Sequence, residues 1–193
     1  MQPTELMKEG ELFFRQWLRS PKSMGSVLPS SRVLARAIAA EVAWQPGQYV
    51  VELGGGTGAI SQGLIERGIP RDRLIVIELD GALHGYLKER LTGCHVIQGD
   101  ATRLSEILAR HDFGEIGTVV SGLPMVGMPV EFQRSIIEQG FKVMPAGSFM
   151  LQYSYSPIAP IPAEQFGVTA KIARYVLWNF PPAAVWRYTK KLG

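Results

Sequence analysis

One cysteine, Cys94, stands among 193 residues. A single thiol closes no internal disulfide and builds no cysteine-based zinc site, and it suits the reducing cytoplasm. Long apolar runs are missing too. The uncharged stretch 144–163 is broken by Pro145, Pro157, Pro160 and Pro162, whereas a spanning helix needs about 20 mostly apolar residues. The first ten residues carry Glu5, Lys8 and Glu9 and no apolar segment, so no secretory signal is expected. Histidine is scarce: His84, His95 and His111 share no metal-ligand spacing, and no serine–histidine–acid set accompanies them. No metal is therefore expected. There is no internal repeat and no low-complexity tract, and residues 165–193 contain no acid at all.

What is present is a globular composition, 46% apolar and 19% charged, at the length of one domain with a single sizeable core. Residues 1–193 are read as one domain, with 1–45 supplying N-terminal helices and a loop. Charge is unevenly placed. Residues 1–40 carry six basic and three acidic residues, 41–164 carry nine and fourteen, and 165–193 carry five basic ones. Two basic ends around an acidic middle suit an anionic partner such as a membrane surface, a phosphate-bearing substrate or a nucleic acid.

The spacing predicts an amphipathic helix over 5–18. Leu6, Phe13 and Trp17 share one stripe, and Lys8, Glu11, Arg15 and Arg19 take the other side. Its rings and flanking cations fit a helix lying on a membrane surface as well as one packed on its own sheet. A Pro/Gly loop follows, and Ser30 or Ser31 can cap a second helix running to about residue 42. Then strands and helices alternate: strands at 49–53, 73–79, 95–98, 116–121 and 148–154, helices at 57–67, 81–91, 103–110 and 130–144. That alternation predicts a parallel sheet covered on both faces. Residues 168–178 and 184–190 alternate with period two around Pro181-Pro182, which predicts an antiparallel hairpin on the sheet edge. A seven-stranded, mostly parallel Rossmann-like α/β sheet is therefore expected. A plain dinucleotide-binding domain would end in another βα unit instead.

The strand 49–53 runs into Gly54-Gly55-Gly56-Thr57-Gly58 and then a helix. Glycines allow a sharp turn and let a ligand approach the peptide plane. Gly54, Gly56 and Ala59 also satisfy the dinucleotide fingerprint. Two features favour S-adenosylmethionine. Glu52 lies two residues before the loop, where a carboxylate suits a cationic methionyl group and repels a pyrophosphate. Asp100, in Gly99-Asp100-Ala101, can accept a hydrogen bond from an adenine amine, while Glu78 can bind the ribose hydroxyls. Leu79 and Ala101 flank these acids. Three acids at three strand ends place a ligand at the sheet's crevice.

At the end of the fourth strand stands Ser121-Gly122-Leu123-Pro124-Met125. Nucleic-acid adenine methyltransferases carry Asn or Asp and a base-stacking aromatic there; here Ser121 stands for the first and the aromatic is missing, which counts against a nucleobase acceptor. The block from Glu52 to Gly58 resembles the first motif of class I methyltransferases. The chain as a whole resembles bacterial phospholipid N-methyltransferases, themselves similar to shortened rRNA adenine dimethylases. The resemblance rests on residues 20–26, 52–58, 99–101 and 121–124 and on Val185-Trp186-Arg187-Tyr188. The helical RNA-binding domain of the dimethylases has no counterpart in it, so no nucleic-acid partner is expected.

The resemblance implies methyl transfer from S-adenosylmethionine to phosphatidylethanolamine and its partly methylated forms, by a protein peripheral to the inner face of the cytoplasmic membrane. Apart from the resemblance, the residues themselves suggest further roles. The loop with Lys22, Met24 and Ser26 is expected to fold over the cofactor as a lid. Ser121 and the Leu123 backbone orient the amine, and Tyr153 relays its proton. Arg187 offers a fork for the lipid phosphate, and Tyr155 and Tyr188 line the headgroup.

Overall fold

A computed structural model describes residues 32–156 and 158–191 of the chain. The expected helix over 5–18 and the lid residues Lys22, Met24 and Ser26 lie outside the described residues. The order is α1 (Arg32–Glu41), β1 (Tyr49–Leu53), α2 (Ala59–Arg67), β2 (Leu74–Glu78), α3 (Gly81–Arg90), β3 (His95–Gln98), α4 (Leu104–Leu108), β4 (Ile116–Ser121), α5 (Val130–Val143), β5 (Phe149–Ser154), β6 (Val168–Val176) and β7 (Ala183–Lys190).

The seven strands form one sheet in the order β3-β2-β1-β4-β5-β7-β6. The first five are parallel, and β7 inserts antiparallel between β5 and the edge strand β6. This is the seven-stranded Rossmann-like sheet that the alternation predicts. Central strands are buried on both faces, which is why β2 reads Leu-Ile-Val-Ile before its terminal glutamate. Val51, Leu53, Ile77, Val119 and Met150 meet α4 and α5 on one face. Val50, Val76, Val120, Leu151 and Val185 meet α1, α2 and α3 on the other. Burying each such side chain contributes roughly 2 kcal/mol. Helix α1 approaches α2 closely because Gly63 has no side chain: a Cβ there would lie 2.9 Å from the Ala35 backbone.

Several boundaries shift by one or a few residues from the sequence expectation, and two of the shifts have a clear local reason. Helix α2 starts at Ala59 rather than Thr57 because Gly58 adopts φ +79°, a left-handed turn that helix cannot include. The expected helix 103–110 begins as a 3-10 turn, Ala101–Arg103, because the Asp100 side chain accepts from Thr102 N at 2.8 Å and tightens the entry.

Sheet order reverses between β1 and β4. Leu53 pairs with Ile77 on one side and Ser121 on the other, and Ser121 pairs with Gln152. The carboxyl ends of β1, β2, β4 and β5 thus finish level, around a crevice at the topological switch point.

Candidate active site: an acid-lined crevice at the strand tips

The glycine loop builds the floor of the crevice. Gly54 and Gly56 have φ of +75° and +53°, which side-chain-bearing residues rarely adopt. A Cβ on Gly54 would lie 2.7 Å from Leu123 Cδ2, whereas one on Gly56 would meet nothing within 4 Å. The first glycine lets two loops touch; the second leaves its peptide open to a ligand. Gly122 completes the contact from the β4 side. Its N–H donates to Leu53 O at 2.8 Å, and a Cβ there would lie 2.8 Å from Gly54 O.

Two of the expected acids stand beneath this loop. Glu52 is fully buried, 0% exposed. Ser61 Oγ, one turn into α2, donates to its Oε2 at 2.5 Å, while Oε1 has no partner. Burial, reinforced by the neighbouring Glu78 charge and opposed by the Ser61 bond, raises its pKa from 4.5 to about 8. Glu78, at the tip of β2, accepts from Gly56 N at 2.9 Å and Asp80 N at 3.0 Å. Burial pushes its pKa up, and those backbone donors hold it back. Each Glu78 oxygen keeps a second lone pair for a hydroxyl.

Asp100 caps its 3-10 turn and lines an open crevice. Gly54, Ile77, Leu79, Gly99, Ala101, Leu123 and Phe132 line the rest of it. One acid in an apolar slot suits a flat heterocycle with an exocyclic amine. Of these, Ile77 and Phe132 are not singled out by the sequence. A helix stripe does not reveal that Phe132, in the first turn of α5, overhangs a strand tip.

The β4 loop forms the facing wall. Ser121 is buried, and its Oγ accepts from Leu123 N at 3.3 Å. Gln152, which the sequence does not single out, holds this wall from β5. Its Nε2 donates to the carbonyls of Leu123 and Tyr153, both at 2.9 Å, which fixes the amide orientation. Its buried Oε1 has no partner.

Other expected residues are not brought to this wall. Strand alternation sends Tyr153 to the face opposite Ser121 and Gln152. There its ring meets Tyr155 edge-on at 5.8 Å, and Tyr155 bonds Asn179. Arg187 pairs with Leu151, short of the strand tip. Its guanidinium contacts Glu41 at 3.4 Å and stacks 4.2 Å from the Phe149 ring centroid, toward the start of β5. Tyr188 pairs with Met150 and is wholly buried, its hydroxyl without a partner and its pKa raised by burial. Thr57 and Gly58 sit in the loop itself.

A parallel sheet that reverses order above a glycine loop and matched acids defines a nucleoside-binding α/β domain. No protein-family model matches the chain. It is 34% identical over 147 residues to ornithine lipid N-methyltransferase of Singulisphaera acidiphila, covering 74% of this chain and 77% of that one. It is 29% identical over 136 residues to ribosomal RNA small subunit methyltransferase A of Thermotoga petrophila. That match covers 70% of this chain and 50% of the relative, so the chain spans about half its length. Among solved structures, the glycopeptide N-methyltransferase MtfA with sinefungin aligns at TM-score 0.62 and 13% identity, over 86% of this chain and 96% of that one. At that identity the likeness is one of fold.

The chain belongs to the class I S-adenosylmethionine-dependent methyltransferases, in the group related to the rRNA adenine dimethylases that also holds a lipid N-methyltransferase. Its cofactor is S-adenosylmethionine. The residues present fit that group. The unpartnered Glu52 Oε1 lies under the loop, Gly56 leaves an open cradle, and Asp100 closes an apolar slot.

Proposed function

We propose that the chain methylates the amine of a membrane-lipid headgroup, with phosphatidylethanolamine and its mono- and dimethyl forms as acceptors in phosphatidylcholine synthesis. The observation that carries the acceptor class is the similarity to a lipid N-methyltransferase over three-quarters of both chains.

The cofactor supplies an electrophilic methyl on a sulfonium. The chain's own groups do the positioning. Asp100 and the slot around Leu79, Ala101 and Phe132 hold the adenine, Glu78 the ribose, and Glu52 with the Gly54–Gly58 loop the methionyl end. A cation above Glu52 favours its ionised form, so binding releases a proton near neutral pH. Ser121 and the Leu123 carbonyl face the acceptor nitrogen, and Gln152 Oε1 accepts one of its N–H groups. The apolar wall lowers the ammonium pKa, so the amine reaches its neutral, nucleophilic form without a strong base.

Among the described residues no helix is long and apolar enough to cross a membrane. We place the protein peripherally on the inner face of the cytoplasmic membrane, where its basic first forty residues meet anionic lipid.

Incubation with methyl-labelled S-adenosylmethionine and mixed vesicles, followed by lipid chromatography, tests this reading. Label in methylated phosphatidylethanolamine supports it; label confined to ornithine lipid moves the acceptor; label in neither refutes a lipid acceptor. The rRNA methyltransferase similarity supports a second reading, adenine N-methylation of RNA. A gel shift at physiological salt with a structured RNA distinguishes the two.

A further inference from the structure

Among the described residues, the carboxyl ends of the strands carry most of the exposed large apolar side chains. Val126 and Val130 follow β4, Ile158 follows β5, and Leu177, Trp178 and Phe180 form the tip of the β6–β7 hairpin. Trp178 is 93% exposed and Phe180 84%. The register fixes where that tip lies. Ala184 pairs with Tyr175 and also with Ser154, the last residue of β5. The hairpin therefore turns at the crevice end of the sheet.

The tip is a shaped turn. Asn179, buried at its centre, donates from Nδ2 to Pro181 O at 2.6 Å and bonds the Tyr155 side chain. Two large rings and a leucine are thus presented to the outside by a held scaffold. Contiguous exposed apolar surface of this kind marks an interaction site. Aromatic rings favour the boundary between water and lipid. These side chains come from three separate loops at the end of the sheet that holds the crevice. The tip itself, 176–183, carries no charge: Arg174 and Arg187 pair with Glu41, and Lys190 lies at the far end of β7.

We propose that the hairpin tip, with the loops after β4 and β5, is a bilayer-insertion surface that sets the crevice against the headgroup layer. This rests on the lipid acceptor reading above. Seating these rings in the interface brings the Ser121–Leu123 wall to the depth of a headgroup amine, so the acceptor is reached without extraction from the membrane.

The test uses the full chain and the double variant Trp178→Ser, Phe180→Ser, whose side chains lie outside the core. Vesicles of phosphatidylethanolamine and phosphatidylglycerol are one probe; short-chain phosphatidylethanolamine below its micelle concentration is the other. Vesicle partitioning is expected to weaken about 100-fold, roughly tenfold per ring. Methylation in vesicles falls in step, and turnover of the monomeric lipid is unchanged. Undiminished vesicle binding overturns the proposal even where lipid methylation is intact. Wild-type protein that binds vesicles through the tip yet methylates neither lipid supports the surface and sinks the acceptor reading alone. Wild-type dimers that the double variant dissolves give the patch to a second copy, and equal losses on both lipids give it to the pocket; either overturns the proposal.

Discussion

The two ends of the parallel strands are built by opposite rules. At the amino ends of β1, β3 and β4 polar and aromatic groups are satisfied, although Tyr188 Oη and Arg187 Nε stay unpaired near the start of β5. Tyr49, His95 and Phe113 pack ring to ring with centroids 4.9–6.0 Å apart, and Arg73 covers Tyr49. Trp44 Nε1 donates to Gln48 O at 2.7 Å, and Thr118 Oγ1 to Ala43 O at 2.5 Å. At the carboxyl ends demands are left open. Glu52 Oε1 and Gln152 Oε1 are buried without partners, two carboxyls have raised pKa values, and apolar side chains face outward. One end spends its interactions on folding; the other holds them back for ligands, which is the stability–function trade expected at a binding site.

Substitutions at the two ends should therefore separate activity from stability. The largest effect is expected from Gly122→Val. Its side chain would push the β4 loop off Gly54 O, and kcat/KM should fall by about 100-fold or more, the scale expected when a reacting group is displaced by 1 Å. Retained activity would mean that the two loops need not touch.

Glu52→Gln should change both properties in opposite directions. Folded Glu52 titrates near 8 against 4.5 ordinarily. A raised folded value means that folding takes up a proton. Its stabilising contribution is complete below 4.5 and is lost as pH rises through 8. The variant should match wild type near pH 4.5 in thermal unfolding and exceed it by about 5 kcal/mol at pH 9. It should also bind the nucleoside more weakly and release no proton on binding at pH 7, as calorimetry in two buffers would show. Parallel stability curves for the two proteins would contradict this.

Phe113→Ala, at the amino ends, should cost about 2 kcal/mol in denaturant unfolding and leave nucleoside affinity unaltered. Arg187→Met should have the smallest effect, about 1 kcal/mol from its half-exposed ion pair with Glu41 and the Phe149 stack, with KM for the lipid unmoved. A raised KM would return Arg187 to the headgroup.

Much of this was legible in the sequence, because parallel strands announce themselves as β-branched runs and glycines with φ above zero have few substitutes. The hairpin was legible through its period of two and Pro181-Pro182. Period alone does not give register. Pairing across β5 and β7 decides that Arg187 sits beside Leu151 and Tyr188 beside Met150, short of the tips. A lone amide in a strand carries no pattern, so Gln152 stayed hidden. Leu177 and Trp178 read as strand because alternation does not mark where the ladder with β7 stops, at Val176.

Calorimetry of S-adenosylhomocysteine binding to the wild type and to Glu78→Ala, Asp100→Ala tests the central claim most directly. Loss of affinity by at least about 100-fold, in a variant whose unfolding transition is intact, is the predicted result, since each charged hydrogen-bonding group is worth about 1.5–3 kcal/mol. Equal affinity in both proteins would contradict the assignment of the crevice to the cofactor.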